Sequence, residues 1–259
     1  MPDNSLLDRL RSAAVAVIVA HPDDEVIGAG ALLAELKNAI VIHVTDGAPR
    51  DLRDARSAGF SRRDQYAEAR RAELDRALEC TSIGPKQRRW LGYIDQEASM
   101  HMAEMARLVA ALDVDVVLTH PYEGGHPDHD ATAFGVHAAR ALRKGQIDVI
   151  EMTSYHDHDG QTVTGEFLGA DSGQTVTCTL SKTQRGQKRA MLDCFATQRT
   201  VLEWFSIDVE RFRPAPAYDF TEPPHREPLH YEREWGISGV RWRELAREAV
   251  AELGLRGPL

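Results

Sequence analysis

Residues 14–20, Ala-Val-Ala-Val-Ile-Val-Ala, are an unbroken run of small and β-branched apolar side chains. Such a run has no polar face to offer water, so a strand built from it must be covered on both sides. It stops abruptly at His21-Pro22-Asp23-Asp24-Glu25. Residues 25–37 then carry Val26, Leu32, Leu33 and Leu36 as an apolar stripe, which predicts a helix. A second apolar run, residues 39–45 (Ala-Ile-Val-Ile-His-Val-Thr), completes a strand–helix–strand unit of the parallel-sheet kind.

The alternation continues. Residues 46–63 form an Arg- and Gly-rich polar loop, well beyond the about 4–6 residues of an ordinary connection. A charged helix over about 64–80, a short strand near 88–93, a helix over about 97–112 and a strand at 114–119 follow. Then come a helix from Pro127 to Arg143 and a strand over 149–156. This order predicts a Rossmann-like α/β fold, a mostly parallel sheet with helices on both faces. Beyond it, two Thr-rich alternating runs, 162–167 and 174–180, flank Gly169-Ala170-Asp171-Ser172-Gly173 and predict a hairpin. A helix over about 182–198 is expected next, and Pro214, Pro216, Pro223, Pro224 and Pro228 predict an irregular segment. The reading is one domain over 1–259, with its core at 14–156 and a C-terminal elaboration at 157–259.

With 42% apolar and 27% charged residues, 259 residues suffice for such a core. The net charge of -9 argues against a nucleic-acid partner, which would want dense Lys and Arg. Cys80, Cys178 and Cys194 form no CxxC pair, so neither a disulfide framework nor a cysteine metal site is indicated. The first apolar run ends at charged residues, and no stretch approaches the roughly twenty apolar residues needed to span a bilayer. No transmembrane segment is expected, the cytoplasm is the expected location, and assembly into a homo-oligomer is left open.

Two polar clusters carry the chemistry. One is His21 to Glu25; the other is His120-Pro-Tyr-Glu-Gly-Gly-His126-Pro-Asp128-His129. Each directly follows a buried strand, and ligands of open α/β sheets bind outside the carboxyl ends of the strands. Both clusters therefore leave one edge of one sheet. A catalytic zinc takes imidazole nitrogen and carboxylate oxygen from three residues and keeps a position for water. His21 and Asp24, three apart at a strand-to-helix turn, can converge, and His129 can supply the third ligand. Asp23 and His126 stay beside the metal, as a base for the attacking water and a donor to the developing oxyanion.

With A-H-P-D-D-E at Ala20–Glu25 and H-P-D-H at His126–His129, the chain resembles the PIG-L or LmbE-like deacetylases. That family includes N-acetylglucosaminyl-phosphatidylinositol, mycothiol-pathway and diacetylchitobiose deacetylases. A weaker R-x-x-E-x-x-x-A falls on Arg70, Glu73 and Ala77. The resemblance is firm over about 14–156 and looser beyond, and departs at Cys80-Thr81, where relatives often read Leu-Gly. It implies Zn2+ on His21, Asp24 and His129, with Asp23 as general base. It further implies His126 as oxyanion stabiliser, Asp128 as the carboxylate that tunes His126 and keeps it protonated, and Arg70 as a substrate contact. The implied reaction removes the acetyl group from an N-acetylglucosamine-type amino sugar or its conjugate.

Other readings account for less. Asp23 and Asp24 could merely cap the following helix, but capping gives no role to the second cluster. Gly28-Ala29-Gly30 comes too late after the strand for a dinucleotide loop, and suits close helix–sheet packing instead. A phosphoacceptor receiver domain leaves His126-Pro-Asp-His129 unexplained, and an iron(II) oxygenase would want a β-barrel. An amide hydrolase on another N-acylated small molecule, or a non-catalytic metal- or sugar-binding relative, remains as the alternative. His43 is expected to be packed mid-strand, while His156 and His158 are candidates to line the pocket.

Overall fold

The computed structural model describes residues 5–169, 173–226 and 228–259. Helix α1 (Ser5–Ser12) leads into β1 (Val15–Val19), whose five residues are all buried. Then follow α2 (Asp24–Leu33), β2 (Ala39–Thr45), the short α3 (Arg53–Ser57), α4 (Arg63–Leu78), β3 (Arg88–Tyr93), α5 (Met102–Ala110), β4 (Val116–Thr119), α6 (Pro127–Leu142) and β5 (Asp148–Met152). The C-terminal part adds β6 (Tyr155–His158), β7 (Gln161–Thr164), β8 (Val176–Thr179), α7 (Lys182–Leu192), α8 (Arg199–Leu202), β9 (Val209–Pro214), α9 (His230–Trp235) and α10 (Gly239–Glu252).

The main sheet runs β3-β2-β1-β4-β5-β9-β8; β1 to β5 are mutually parallel, and β9 is antiparallel to both its neighbours, β5 and β8. Strand order reverses at β1, between β2 and β4, which is the topological switch point where α/β sheets open a crevice. Side-chain alternation along β1 divides the core. Val15, Val17 and Val19 pack with Leu32, Leu33, Leu74 and Met191, while Ala16 and Ile18 pack with Met105, Phe134 and Trp242. Covering both faces this way is what the unbroken apolar run required.

Helix α2 bends at Ala29 (φ −144°, ψ 24°), and the backbone groups freed by the bend find side-chain partners. The Ile27 carbonyl accepts from Lys188 Nζ at 2.8 Å, and the Ala31 and Leu32 amides donate to Glu210 at 2.8 and 3.2 Å. Lys188 and Glu210, 1% and 2% exposed, pair at 3.0 Å. Gly28 is required by closeness, since a Cβ there would lie 2.5 Å from Met152 Sδ.

Three local expectations are corrected. The strand read over 149–156 is two strands, and β6 leaves the main sheet to pair with β7. The hairpin expected over 162–180 does not form: β7 pairs with β6, and β8 pairs with β9 in the main sheet. Residues 170–172 of its expected turn lie outside the described residues. The real hairpin turns at Asp159-Gly160, both at positive φ (50° and 75°), as a type I′ turn demands. The helix expected over 182–198 ends at Leu192, and a short 3-10 turn follows at Ala196–Gln198. Among the described residues no helix is long and apolar enough to cross a membrane.

Candidate active site

The loops after β1, β3 and β4 meet at the switch point. His21 Nδ1 lies 3.2 Å from Asp24 Oδ2, and His129 Nε2 lies 3.2 Å from Asp24 Oδ1. One ligand atom from each of the three falls within 4.8 Å of the others, and all three residues are buried. Two imidazoles and a carboxylate in such proximity are a donor set that fits a divalent metal ion. The charge balance agrees. Asp23, Asp24, Asp95 and Asp128 are gathered here with Arg70 as the permanent cation among them. Packed carboxylates of this kind call for a further positive charge.

His129 is steered from behind. Its Nδ1 lies 3.4 Å from Ser154 Oγ, and its ring stacks on His120 at 4.0 Å. His120 Nε2 accepts the Ala20 amide at 3.0 Å, so that lone pair is occupied and His120 supports the site from beside the ligand set. Burial and the neighbouring His129 push its pKa down to about 4. Burial opposes ionisation of Asp24, but His129 and His120 outweigh it and hold the carboxyl well below its usual range.

Asp23, at the start of α2, has φ 123° and ψ −29°, a backbone state that costs an L residue on the order of 1–3 kcal/mol. Burial, with Asp24 and Glu25 nearby, pushes its pKa up to about 8 against the pull of Arg70. Arg70 itself is 4% exposed. It donates to the Pro22 carbonyl at 2.7 Å and to Asp23 Oδ2 at 3.3 Å. The arginine thus grips the loop that carries Asp23. Gly47, at φ 63°, makes room for this grip, since a Cβ there would approach Pro22 Cδ at 2.9 Å.

His126 caps α6, and its Nδ1 accepts the Asp128 amide at 3.1 Å. The ring proton therefore belongs on Nε2, which faces Asp95 Oδ1 at 3.7 Å. Burial and the neighbouring His21 drive its pKa well below the ordinary value, which favours the neutral ring. The expected pairing of the Asp128 carboxylate with His126 is not formed. That carboxylate accepts from the Gln96 amide at 2.6 Å and the Ala98 amide at 3.0 Å, and lies 3.3 Å from His21 Nε2. A histidine that ligates through one nitrogen is oriented by a carboxylate on the other. Asp128 and Asp95, both 3.3 Å from His21 Nε2, occupy that position.

The sequence reading passed over Asp95 altogether and gave His120 no role. The available signal was position, since Asp95 lies just past the end of β3 on the same sheet edge. His156 is buried against Glu123 at 3.3 Å, and His158 is exposed; neither joins the His–Asp cluster. His43 is packed mid-strand, as expected.

Residues 16–140 match the PIG-L family, described as GlcNAc-PI de-N-acetylase. No curated protein matches the sequence. Among solved structures, the A40926 pseudoaglycone deacetylase Dbv21 is 21% identical with TM-score 0.57, covering 78% of this chain and 96% of its own. The zinc-inhibited form of teicoplanin deacetylase Orf2 is 17% identical with TM-score 0.57, over 77% and 97%. A 4-carboxy-2-hydroxymuconate hydratase, GalB from Pseudomonas putida, is 18% identical with TM-score 0.51, over 73% and 82%. These likenesses confirm the fold, and the hydratase shows that the fold alone does not name the reaction. The match to the PIG-L family spans residues 16–140, which contain every residue of the His–Asp cluster.

Proposed function

We propose that the protein hydrolyses the N-acetyl group of an N-acetylglucosamine-type amino sugar or conjugate, with Zn2+ held by His21, Asp24 and His129. One observation carries the reading. A buried two-histidine, one-carboxylate donor set stands at the switch point, with the Asp23 carboxyl next in sequence and the His126 ring 4.4 Å from that of His21. The family's description as a de-N-acetylase supports the reaction, and the donor types suit zinc.

Zinc in such a site supplies Lewis acidity and lowers the pKa of a coordinated water to about 7. The chain's own residues do the rest. Asp23, next in sequence to the ligand Asp24, accepts the proton of the attacking water as its carboxylate. His126 donates Nε2–H toward the carbonyl oxygen as charge develops on it, and a neutral imidazole can do so without first acquiring a proton. The proton held by Asp23 then passes to the leaving amine, so acetate and a free amine result. Arg70 keeps the Asp23 loop in place throughout.

Acetate release from a panel of N-acetylglucosaminyl compounds tests the reaction. Asp23→Asn should keep stoichiometric zinc and lose most turnover at saturating substrate, while alanine at His21, Asp24 or His129 should lose the metal. Absence of acetate release by the zinc-loaded wild type across the panel would remove the reading.

A further inference from the structure

The strained backbone of Asp23 must be held by something, because a strained conformation persists only where its surroundings over-determine it. Two restraints belong to the helix and to Arg70. The Val26 and Ile27 amides both donate to the Asp23 carbonyl at 2.9 Å, and Arg70 grips the Pro22 carbonyl. The third comes from underneath. Glu25 turns back so that Oε2 accepts the Asp23 amide at 3.1 Å, and the same oxygen lies 3.0 Å from His43 Nε2.

Glu25 and His43 are both 0% exposed. A carboxyl and an imidazole are costly to bury on the apolar side of a parallel sheet unless they satisfy one another. Among the described residues, Glu25 Oε1 and His43 Nδ1 have no hydrogen-bond partner. Their polar contacts are therefore directed at each other and at the Asp23 amide. The His43 ring is fixed on its other side by Trp90, at 4.9 Å between centroids. His43 lies in β2, in register with Val19 at the end of β1.

We infer that Glu25 and His43 are positioning residues that lock the Asp23 backbone: Glu25 through the amide, His43 by fixing Glu25. The effect on turnover rests on the reading of Asp23 as general base; the effect on the Asp23 amide does not.

The test uses Glu25→Ala, Glu25→Gln and His43→Phe in the full chain. Glu25→Gln keeps an acceptor oxygen, and His43→Phe keeps an aromatic ring against Trp90. Hydrogen exchange at the Asp23 amide, followed by NMR, should accelerate at least about tenfold in Glu25→Ala and His43→Phe, and stay slow in Glu25→Gln. Zinc content should match wild type in all three. In Glu25→Ala, kcat should fall at least about tenfold with KM within about twofold, and Glu25→Gln should recover most of the loss. In an Asp23→Asn background, Glu25→Ala should cost little further turnover, since a residue acting through Asp23 has nothing left to act on. An Asp23 amide that stays protected in Glu25→Ala would overturn the inference, as would a kcat loss that persists in full in the Asp23→Asn background. Should wild type release no acetate, the deacetylase reading fails alone, and the exchange measurement still decides the lock.

Discussion

The carboxylate of Asp128 lies 3.3 Å from Nε2 of His21, held there by the backbone amides of Gln96 and Ala98. It is fully buried, and Nδ1 of the same imidazole is turned toward Asp24. This is the arrangement in which a carboxylate sets the tautomer and orientation of a metal-binding histidine. Asp128→Asn should therefore weaken zinc binding by about 10- to 100-fold, the usual size of such effects. Competition with a chelator of known affinity measures it. Unchanged zinc affinity, with turnover alone reduced, would return Asp128 to a role on His126.

His126 carries a second prediction. The Asp128 amide occupies its Nδ1, and burial favours the neutral ring. As a donor that needs no extra proton, it should support turnover undiminished from pH 7 to 9 by its own account. His126→Ala should keep zinc and lose about 10²–10³ in kcat, the typical loss of one oxyanion donor. An alkaline fall in wild-type activity that vanishes in a His126 variant would show a cationic donor instead.

Much of this site was legible because its residues stand at strand ends, and strands buried on both faces announce themselves as apolar runs. His21, Asp24 and His129 could be placed together from the positions of β1 and β4 alone, a hundred residues apart. Asp95 was not legible, because it follows β3, an edge strand with three residues only half-buried and one interior glycine, whose end is poorly marked. The partner of Asp128 was illegible for a different reason. A carboxylate between two histidines in sequence need pair with neither, and the amides of Gln96 and Ala98, thirty residues away, hold this one against His21. The C-terminal strands failed similarly. Thr-rich alternation marks β7 and β8 as strands but does not choose their partners, whereas Asp159-Gly160 carried a turn signal that was passed over.

Metal-free protein offers a test of the Asp23 environment through stability. Its carboxyl titrates near 3.9 when unfolded and is pushed up to about 8 when folded, so the folded state binds its proton more tightly. The stability this contributes is fully present below about pH 4 and is lost as pH rises through about 8. Asp23→Asn removes that dependence. The difference in Tm between metal-free wild type and Asp23→Asn should therefore shrink or reverse in wild type's disfavour from pH 5 to 8. Added zinc should flatten the wild-type decline, because a nearby divalent cation favours the ionised carboxylate. Parallel pH curves for the two metal-free proteins would mean that Asp23 is not held in a raised-pKa state.

The last prediction concerns the bend in α2, the helix whose first turn supplies Asp24 and Glu25. Glu210 takes the Ala31 and Leu32 amides that the bend at Ala29 releases, and pairs with Lys188, which in turn satisfies the Ile27 carbonyl. Removing the carboxylate strands a buried ammonium and two buried amides together. Losing one partner of a buried pair costs about 3–5 kcal/mol, against about 0–1 kcal/mol for an exposed pair. At about 2–4 °C per kcal/mol for a chain of this size, Glu210→Ala should lower Tm by roughly 6–20 °C. Arg107→Ala, which breaks an ion pair to Glu252 with both side chains more than half exposed, should scarcely move it. The double replacement Lys188→Met with Glu210→Gln should recover part of the loss, since no charge is then buried alone and Gln keeps an acceptor for one amide. A Tm change in Glu210→Ala no larger than in Arg107→Ala would show that the bend is held by packing against Met152 and the sheet, and that the buried pair contributes nothing to it.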